Sequence, residues 1–339
     1  MGPNERRDHV HPARSKRPFR WLVAAASLAL VTATAGCFSD PDSSDADVKG
    51  GSLAETTTLD GVSLTVGSKE FTEQLIMCKI TSLALRSVGA TVTEQCGIQG
   101  SNATRAALTS GNIDMYWEYT GTAWINHLQH TDPINDPVAQ YDAVAEEDLS
   151  KHEIKWLPMA PANNTYAIMV KTSTSEQLGI RTLSEYAALA NTDPAKASFC
   201  VGNEFASRND GFPGLQAAYG FTISKPHVAT LADGAIFNAV ANDNPCTFGV
   251  GTATDGRVKA LDLTILTDDK QFFPVYNPAP TVRKSVYDQH PDIEKVLKPI
   301  AEALTDSVLQ ELNGQVDIDG KEPAEVAEEW LRSKGYIGA

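Results

Sequence analysis

Val62-Ser-Leu-Thr-Val-Gly67, then Thr72-Glu-Gln-Leu-Ile-Met-Cys-Lys-Ile-Thr-Ser-Leu-Ala-Leu-Arg-Ser-Val-Gly89, then Val92-Thr-Glu-Gln-Cys96, is a strand, a helix and a second strand in 35 residues. The first and last pieces are short, β-branched and alternating, which suits a pleated ribbon. Between them Leu75, Ile76, Ile80, Leu83, Ala84 and Val88 recur at helical spacing. Thr72 is the expected N-cap, and Gly89 the stop. Two strands joined by a crossover helix pair in parallel, and such units build α/β sheets.

The same texture continues outward. A helix is expected over 102–110, closed by Gly111, then a strand over 113–119 and a longer helix over 137–152. After Ile154-Lys-Trp-Leu-Pro158 the pattern restarts, with strands over 166–171, 198–202 and 246–251 separated by helices. The Pro-rich, aromatic stretch Phe272-Phe-Pro-Val-Tyr-Asn-Pro-Ala-Pro280 follows, and helices over 292–304, 306–312 and 323–334 end the chain. With 339 residues, 42% hydrophobic and 21% charged, the chain is long enough for two globular units. Its 28 basic and 43 acidic side chains give a net charge of -15, which repels a phosphate backbone and argues against nucleic acid as a partner.

The N-terminus carries Arg6, Arg7, Arg14, Lys16, Arg17 and Arg20 ahead of an uncharged stretch from Trp21 to Gly36. That layout reads as a signal peptide over 1–36. Its end, Thr34-Ala35-Gly36-Cys37, resembles a bacterial lipobox, with Thr34 where an aliphatic residue is usual, and implies lipidation at Cys37. The polar segment over 37–58 is expected to be a flexible leash from that lipid anchor. Four further cysteines in an exported chain suggest disulfides, expected as Cys78–Cys96 and Cys200–Cys246 because each pair then lies within one unit. A zinc site made of the four thiolates is the rival, and it lacks any C-x2-C clustering.

Motifs for catalysis are scarce. There is no G-x-S-x-G elbow, H-E-x-x-H helix or Walker A loop. His127, His130 and Asp132 read as a solvated face rather than a metal site, and Gly249 to Gly256 as a strand end entering a turn. An exported hydrolase using Glu118 and Glu204 as paired carboxylates is the remaining enzymatic reading. Several aromatics instead sit beside turns: Tyr119 at the end of a strand that places Met115, Trp117 and Tyr119 on one face, Tyr166 after Asn163-Asn164-Thr165, and Tyr276 among prolines.

Five motifs carry a resemblance to a known family: Gly67-Ser-Lys-Glu-Phe-Thr-Glu-Gln74, Glu118-Tyr-Thr-Gly-Thr122, Asn164-Thr-Tyr-Ala167, Thr254-Asp-Gly-Arg257 and Phe272-Phe-Pro-Val-Tyr276. In order and content the chain resembles the substrate-binding proteins of osmoprotectant ABC importers, which take up glycine betaine, choline, carnitine and related amines. The likeness runs from Leu59 to the C-terminus and includes Leu312-Asn-Gly-Gln-Val-Asp317. It implies a type II periplasmic-binding-protein fold, α/β, with a ligand cleft between two lobes: lobe one over 59–163 and 272–339, lobe two over 164–271. It also implies an extracytoplasmic protein, held to the membrane by lipid, that hands a small zwitterionic or cationic ligand to an ABC permease, with no cofactor and no catalytic step.

By the same resemblance Tyr119, Tyr166 and Tyr276 fall on the positions that cage the ligand's ammonium, and Lys69 and Arg208 on those that meet its carboxylate. Thr122 is a polar contact and Glu204 the support for Arg208. Thr252 stands where the family often has another tyrosine, so Trp117 or Phe205 would have to complete the cage, or the ligand is a different amine or an aromatic compound. The chemistry is apt: a quaternary ammonium cannot donate an N–H bond, and a ring face holds it without stranding a polar partner.

Overall fold

Among the described residues ten strands form: β1 (Ser63–Lys69), β2 (Thr91–Ile98), β3 (Met115–Tyr119), β4 (Ile154–Trp156), β5 (Tyr166–Lys171), β6 (Phe199–Val201), β7 (Val228–Thr230), β8 (Phe248–Thr252), β9 (Leu263–Ile265) and β10 (Pro278–Arg283). In the computed structural model, which describes residues 48–338, they make two five-stranded sheets ordered β2-β1-β3-β10-β4 and β7-β6-β8-β5-β9. The orders match position for position. In each sheet the first three strands run parallel, and the fourth, β10 or β5, is antiparallel to its neighbours. The chain passes from β4 of one sheet to β5 of the other, and returns from β9 to β10. Two α/β lobes joined by two crossovers are the result.

The opening strand–helix–strand forms as the periodicity requires, with the helix Thr72–Ser87 laying Ile76, Ile80, Ala84 and Leu85 into the core of the first lobe. Gly89 follows it at φ 97°, where a side chain would be strained. The cap differs from the expectation. Phe71 occupies the N-cap position, and the Thr72 hydroxyl donates to Asp317 at 2.7 Å, so it ties this helix to the helix Asp306–Asp317. Every residue of β3 is buried, with Met115, Trp117 and Tyr119 in one cluster and Tyr116 in another.

β10 was not expected, because Pro278 and Pro280 argue against a central strand. Ala279 and Thr281 face β3, whereas Pro278 and Pro280 face β4, and there their carbonyls accept from Ala160 and Leu157 at 2.8 and 2.9 Å. The missing N–H groups thus fall where the chain leaving β4 offers donors. The leash is shorter than its composition implies. Residues 52–56 form a short helix with Leu53 buried, Gly50 bridges to Ile337, and the Ser52 N–H donates to Gly335 at 2.9 Å. The polar composition there conceals one apolar anchor and a backbone partner at the far end of the chain. Cys37, the leader and the rest of the leash lie outside the described residues. Within each lobe one disulfide closes, Cys78 to Cys96 and Cys200 to Cys246.

Candidate functional site

The motifs with unassigned chemistry come together where the two crossovers meet the ends of β1, β3 and β8. Lys69 ends β1 and is buried; its Nζ donates to Glu118 Oε1 at 2.6 Å and lies 5.1 Å from the centre of the Tyr119 ring. Glu118 also accepts from the Tyr116 hydroxyl at 2.7 Å and meets His127 Nε2 at 3.0 Å. Burial alone would raise the Glu118 carboxyl, yet the Lys69 ammonium and His127 hold it well below the usual carboxylate range. The expectation of a solvated face at His127 is therefore wrong. The alternation of β3 points Glu118 inward, and its charge draws the ring into the protein. His130 stacks on Trp124 at 3.5 Å and meets Glu147 at 2.8 Å, and among the described residues no three ligand-type side chains gather as a metal site would require.

Tyr119 turns its hydroxyl to Glu73 Oε1 at 2.8 Å. The chain after it forms the first turn of a helix rather than the open turn the glycine suggested. Gly121 is needed there: a Cβ would stand 2.7 Å from the Tyr276 ring and from the Val275 carbonyl. Tyr276 lies on the second crossover, and its hydroxyl donates to Asp210 Oδ2 at 2.6 Å. Its ring meets that of Tyr166 edge-on at 5.4 Å between centres, and Tyr166 meets Phe205 at 4.8 Å. Burial pushes the phenols of Tyr119, Tyr166 and Tyr276 up, so all three stay neutral. Thr252 pairs with Tyr166 across β8 and β5 and presents no ring. Trp117 cannot supply one, since it is buried in the core of the first lobe with its Nε1 donating to Thr81 at 2.8 Å.

Arg208 is buried with its guanidinium 5.7 Å from the Tyr166 ring centre. It donates to Asp210 from Nε at 2.7 Å and from Nη2 at 2.5 Å, to Glu204 from Nη1 at 2.5 Å, and reaches Thr122 Oγ1 at 3.4 Å. Glu204 spans the lobes, accepting from the Ser101 hydroxyl at 2.7 Å and the Ser101 N–H at 3.1 Å. Burial opposes its ionisation, but Lys69 and Arg208 keep it below the ordinary value. Lys69 and Arg208 thus share the site with the carboxylates of Glu118, Glu204 and Asp210. That balance discourages a net anion. It also leaves Glu118 and Glu204 each bound to a cation, which is a poor arrangement for a hydrolytic acid–base pair.

Sequence reasoning missed Glu73, Asp210, Asn164, Thr254 and Asn313, all buried and polar. All of these but Asp210 lie inside the family motifs, but nothing local distinguishes a buried polar side chain from a solvated one.

The family model described as the substrate binding domain of ABC-type glycine betaine transport system, OpuAC, matches residues 62–333. The chain is 38% identical over 274 residues to the glycine-betaine-binding protein of Pseudomonas aeruginosa, covering 79% of this chain and 87% of that one. It is 30% identical over 273 residues to the ergothioneine transport permease/ergothioneine binding protein EgtU of Helicobacter pylori, covering 80% of this chain and 48% of that one. Among solved structures it is similar to apo YehZ from Escherichia coli, with a TM-score of 0.60 at 29% identity over 81% of this chain and 99% of that one.

Proposed function

The chain belongs to the family of substrate-binding domains of ABC-type glycine betaine transport systems, and we propose that it captures a zwitterionic quaternary amine, glycine betaine first, outside the cytoplasm and delivers it to an ABC permease. One observation carries the ligand class: tyrosines from three separate segments, Tyr119, Tyr166 and Tyr276, converge with two buried cations, Lys69 and Arg208. The rings offer π faces to a trimethylammonium, which needs no hydrogen-bond acceptor. Arg208 has five N–H donors and commits four of them to Asp210, Glu204 and Thr122, which leaves one for a ligand carboxylate. Thr122 adds a hydroxyl beside it.

In this reading lobe one comprises 59–163 and 272–339, lobe two 164–271, and ligand that touches both favours the closed arrangement. The Ser101 hydroxyl donates to Glu204 and the Arg208 guanidinium to Thr122, so both contacts link the lobes. Cys37 is the acylated mature N-terminus, and the lipid rather than any protein segment holds the molecule at the membrane. Native mass spectrometry of protein purified without refolding tests the ligand class, since a carried-along quaternary amine supports it and a carried-along sugar or peptide contradicts it.

A second reading has its own observation. Thr252 offers no ring beside Tyr166, and a separate cavity of about 240 Å³, lined by Ile125, Pro133, Phe272 and Pro274 with Thr131 and Asn209, opens at Asp210. Such a space suits a quaternary amine with an aromatic substituent, as in ergothioneine, the ligand in the name of the Helicobacter pylori relative. Competition between ergothioneine and glycine betaine on one sample decides between the two.

A further inference from the structure

Glu73 stands in the first turn of the helix Thr72–Ser87 with its carboxyl buried. Its Oε1 accepts from the Tyr119 hydroxyl and from Asn164 Nδ2, both at 2.8 Å. Its Oε2 lies 2.6 Å from Thr254 Oγ1 and 3.0 Å from Asn313 Nδ2. Thr254 Oγ1 is in turn 2.7 Å from Asn164 Oδ1. These partners belong to the end of β3, the first crossover, the turn after β8 and the helix Asp306–Asp317. A single carboxyl therefore joins one ring of the proposed ligand site to both lobes.

Three of these contacts close a ring: Glu73 to Asn164, Asn164 to Thr254, and Thr254 back to Glu73. Each needs a hydrogen between its heavy atoms. The Thr254 hydroxyl supplies one. The Asn164 amide serves only one of its two contacts, since turning the amide over moves its N–H₂ from Glu73 to Thr254 and its oxygen the other way. An ionised Glu73 supplies none. Two hydrogens for three contacts is one short with either orientation of Asn164, and a proton on Glu73 is the third.

We propose that Glu73 is held as a neutral carboxylic acid and that in this form it is the positioning residue that fixes Tyr119 and ties it to the second lobe. The role toward Tyr119 rests on the ligand reading above; the proton does not. Burial acts in the same sense, pushing this carboxyl up against the opposing hydrogen bonds from Thr254, Tyr119 and Asn313, and the nearby Asp255 carboxylate pushes it further. The other charged groups around it are already matched. Arg257 pairs with Asp255 and Asp317, and Lys69, over the Tyr119 ring, pairs with Glu118. Loss of the proton would set two acceptors face to face at Thr254, the ring's member from the second lobe. Ligand affinity should therefore fall as pH rises through the raised value, the opposite of what a paired carboxylate produces.

The test is an infrared difference spectrum between ligand-free wild type and Glu73→Gln at neutral pH, using the full chain. The expected result is a carboxylic-acid carbonyl band present in the wild type and absent from the variant; if only carboxylate bands differ, the neutral acid is refuted. Because an amide carries the third hydrogen permanently, Glu73→Gln should bind glycine betaine within about threefold of wild type and lose the alkaline decline, whereas Glu73→Ala should be weaker by roughly tenfold or more. If Glu73→Gln is as weak as Glu73→Ala, the positioning role fails. Should Glu73→Ala not fold, the pH profile of Glu73→Gln against wild type decides that role alone. If wild type binds no quaternary amine, the ligand reading and the positioning role toward it both fail, and the infrared band still decides the proton.

Discussion

Replacing Tyr276 separates two contributions that the structure places in one side chain. Its ring packs against Gly121 and meets Tyr166 at 5.4 Å, while its hydroxyl donates to the buried carboxylate of Asp210 at 2.6 Å. In Tyr276→Phe the ring remains and only the hydrogen bond is lost. Asp210 keeps both donors from Arg208, so it is not stranded, and the loss should be about 1.5 kcal/mol of stability with little change in affinity. In Tyr276→Ala the ring face goes too. If that face holds the ligand's ammonium, its removal costs about 0.5 to 2 kcal/mol of binding, or roughly 3- to 30-fold in Kd. The same change opens a cavity in a buried site and should lower stability by about 3 to 5 kcal/mol, so titrations must be run well below the melting temperature of the variant. Isothermal calorimetry with glycine betaine on wild type and both variants is the assay. Equal weakening in Tyr276→Phe and Tyr276→Ala would refute the reasoning, because it would make the hydroxyl rather than the ring face the element that matters.

Arg208→Ala should weaken glycine betaine by at least about tenfold more than choline, since only the former has a carboxylate for the guanidinium, and parallel titrations measure the ratio. Glu118 should contribute to stability in the sense opposite to Glu73: its carboxyl is depressed in the folded protein, so its contribution is complete above the ordinary carboxylate range and is lost as pH falls through the folded value. Thermal melts of Glu118→Gln should accordingly show a shallower loss on acidification than wild type, from a lower starting point because Lys69 is left unpaired. Cys37→Ala should move the protein from the membrane fraction to the soluble one, and unchanged fractionation would mean that the anchor lies elsewhere.

Local pattern made much of the fold legible. The strand over 166–171 follows from its short, continuous apolar run, and the helix over 137–152 from Pro137 behind the capping Asp136 and from helical spacing, all of which depend on near neighbours. The tyrosines could be picked out because an aromatic beside a glycine or proline turn is in a conspicuous place. What stayed hidden depends on partners distant along the chain. β10 runs through two prolines because the residues after β4, more than a hundred positions earlier, donate to their carbonyls. Leu53 is buried in the core of the first lobe, and backbone bonds to Gly335 and Tyr336 hold its segment there, although the residues around it are polar. Thr72 looked like a cap and is a bridge to Asp317. Glu73 gains its place from Tyr119, 46 positions away, and Asp210, besides its near neighbour Arg208, meets Tyr276, 66 positions away, and no local spacing signals those long-range contacts.

Selection of a trimethylated ammonium through ring faces is the property on which the proposed function stands. Its most direct test is a pair of calorimetric titrations of the wild-type protein, one with glycine betaine and one with glycine, which share a carboxylate and differ in the three methyl groups. Saturable binding of glycine betaine with none detectable for glycine at the same millimolar concentrations is the predicted result. Comparable binding of the two would contradict the cage, and so would binding of neither.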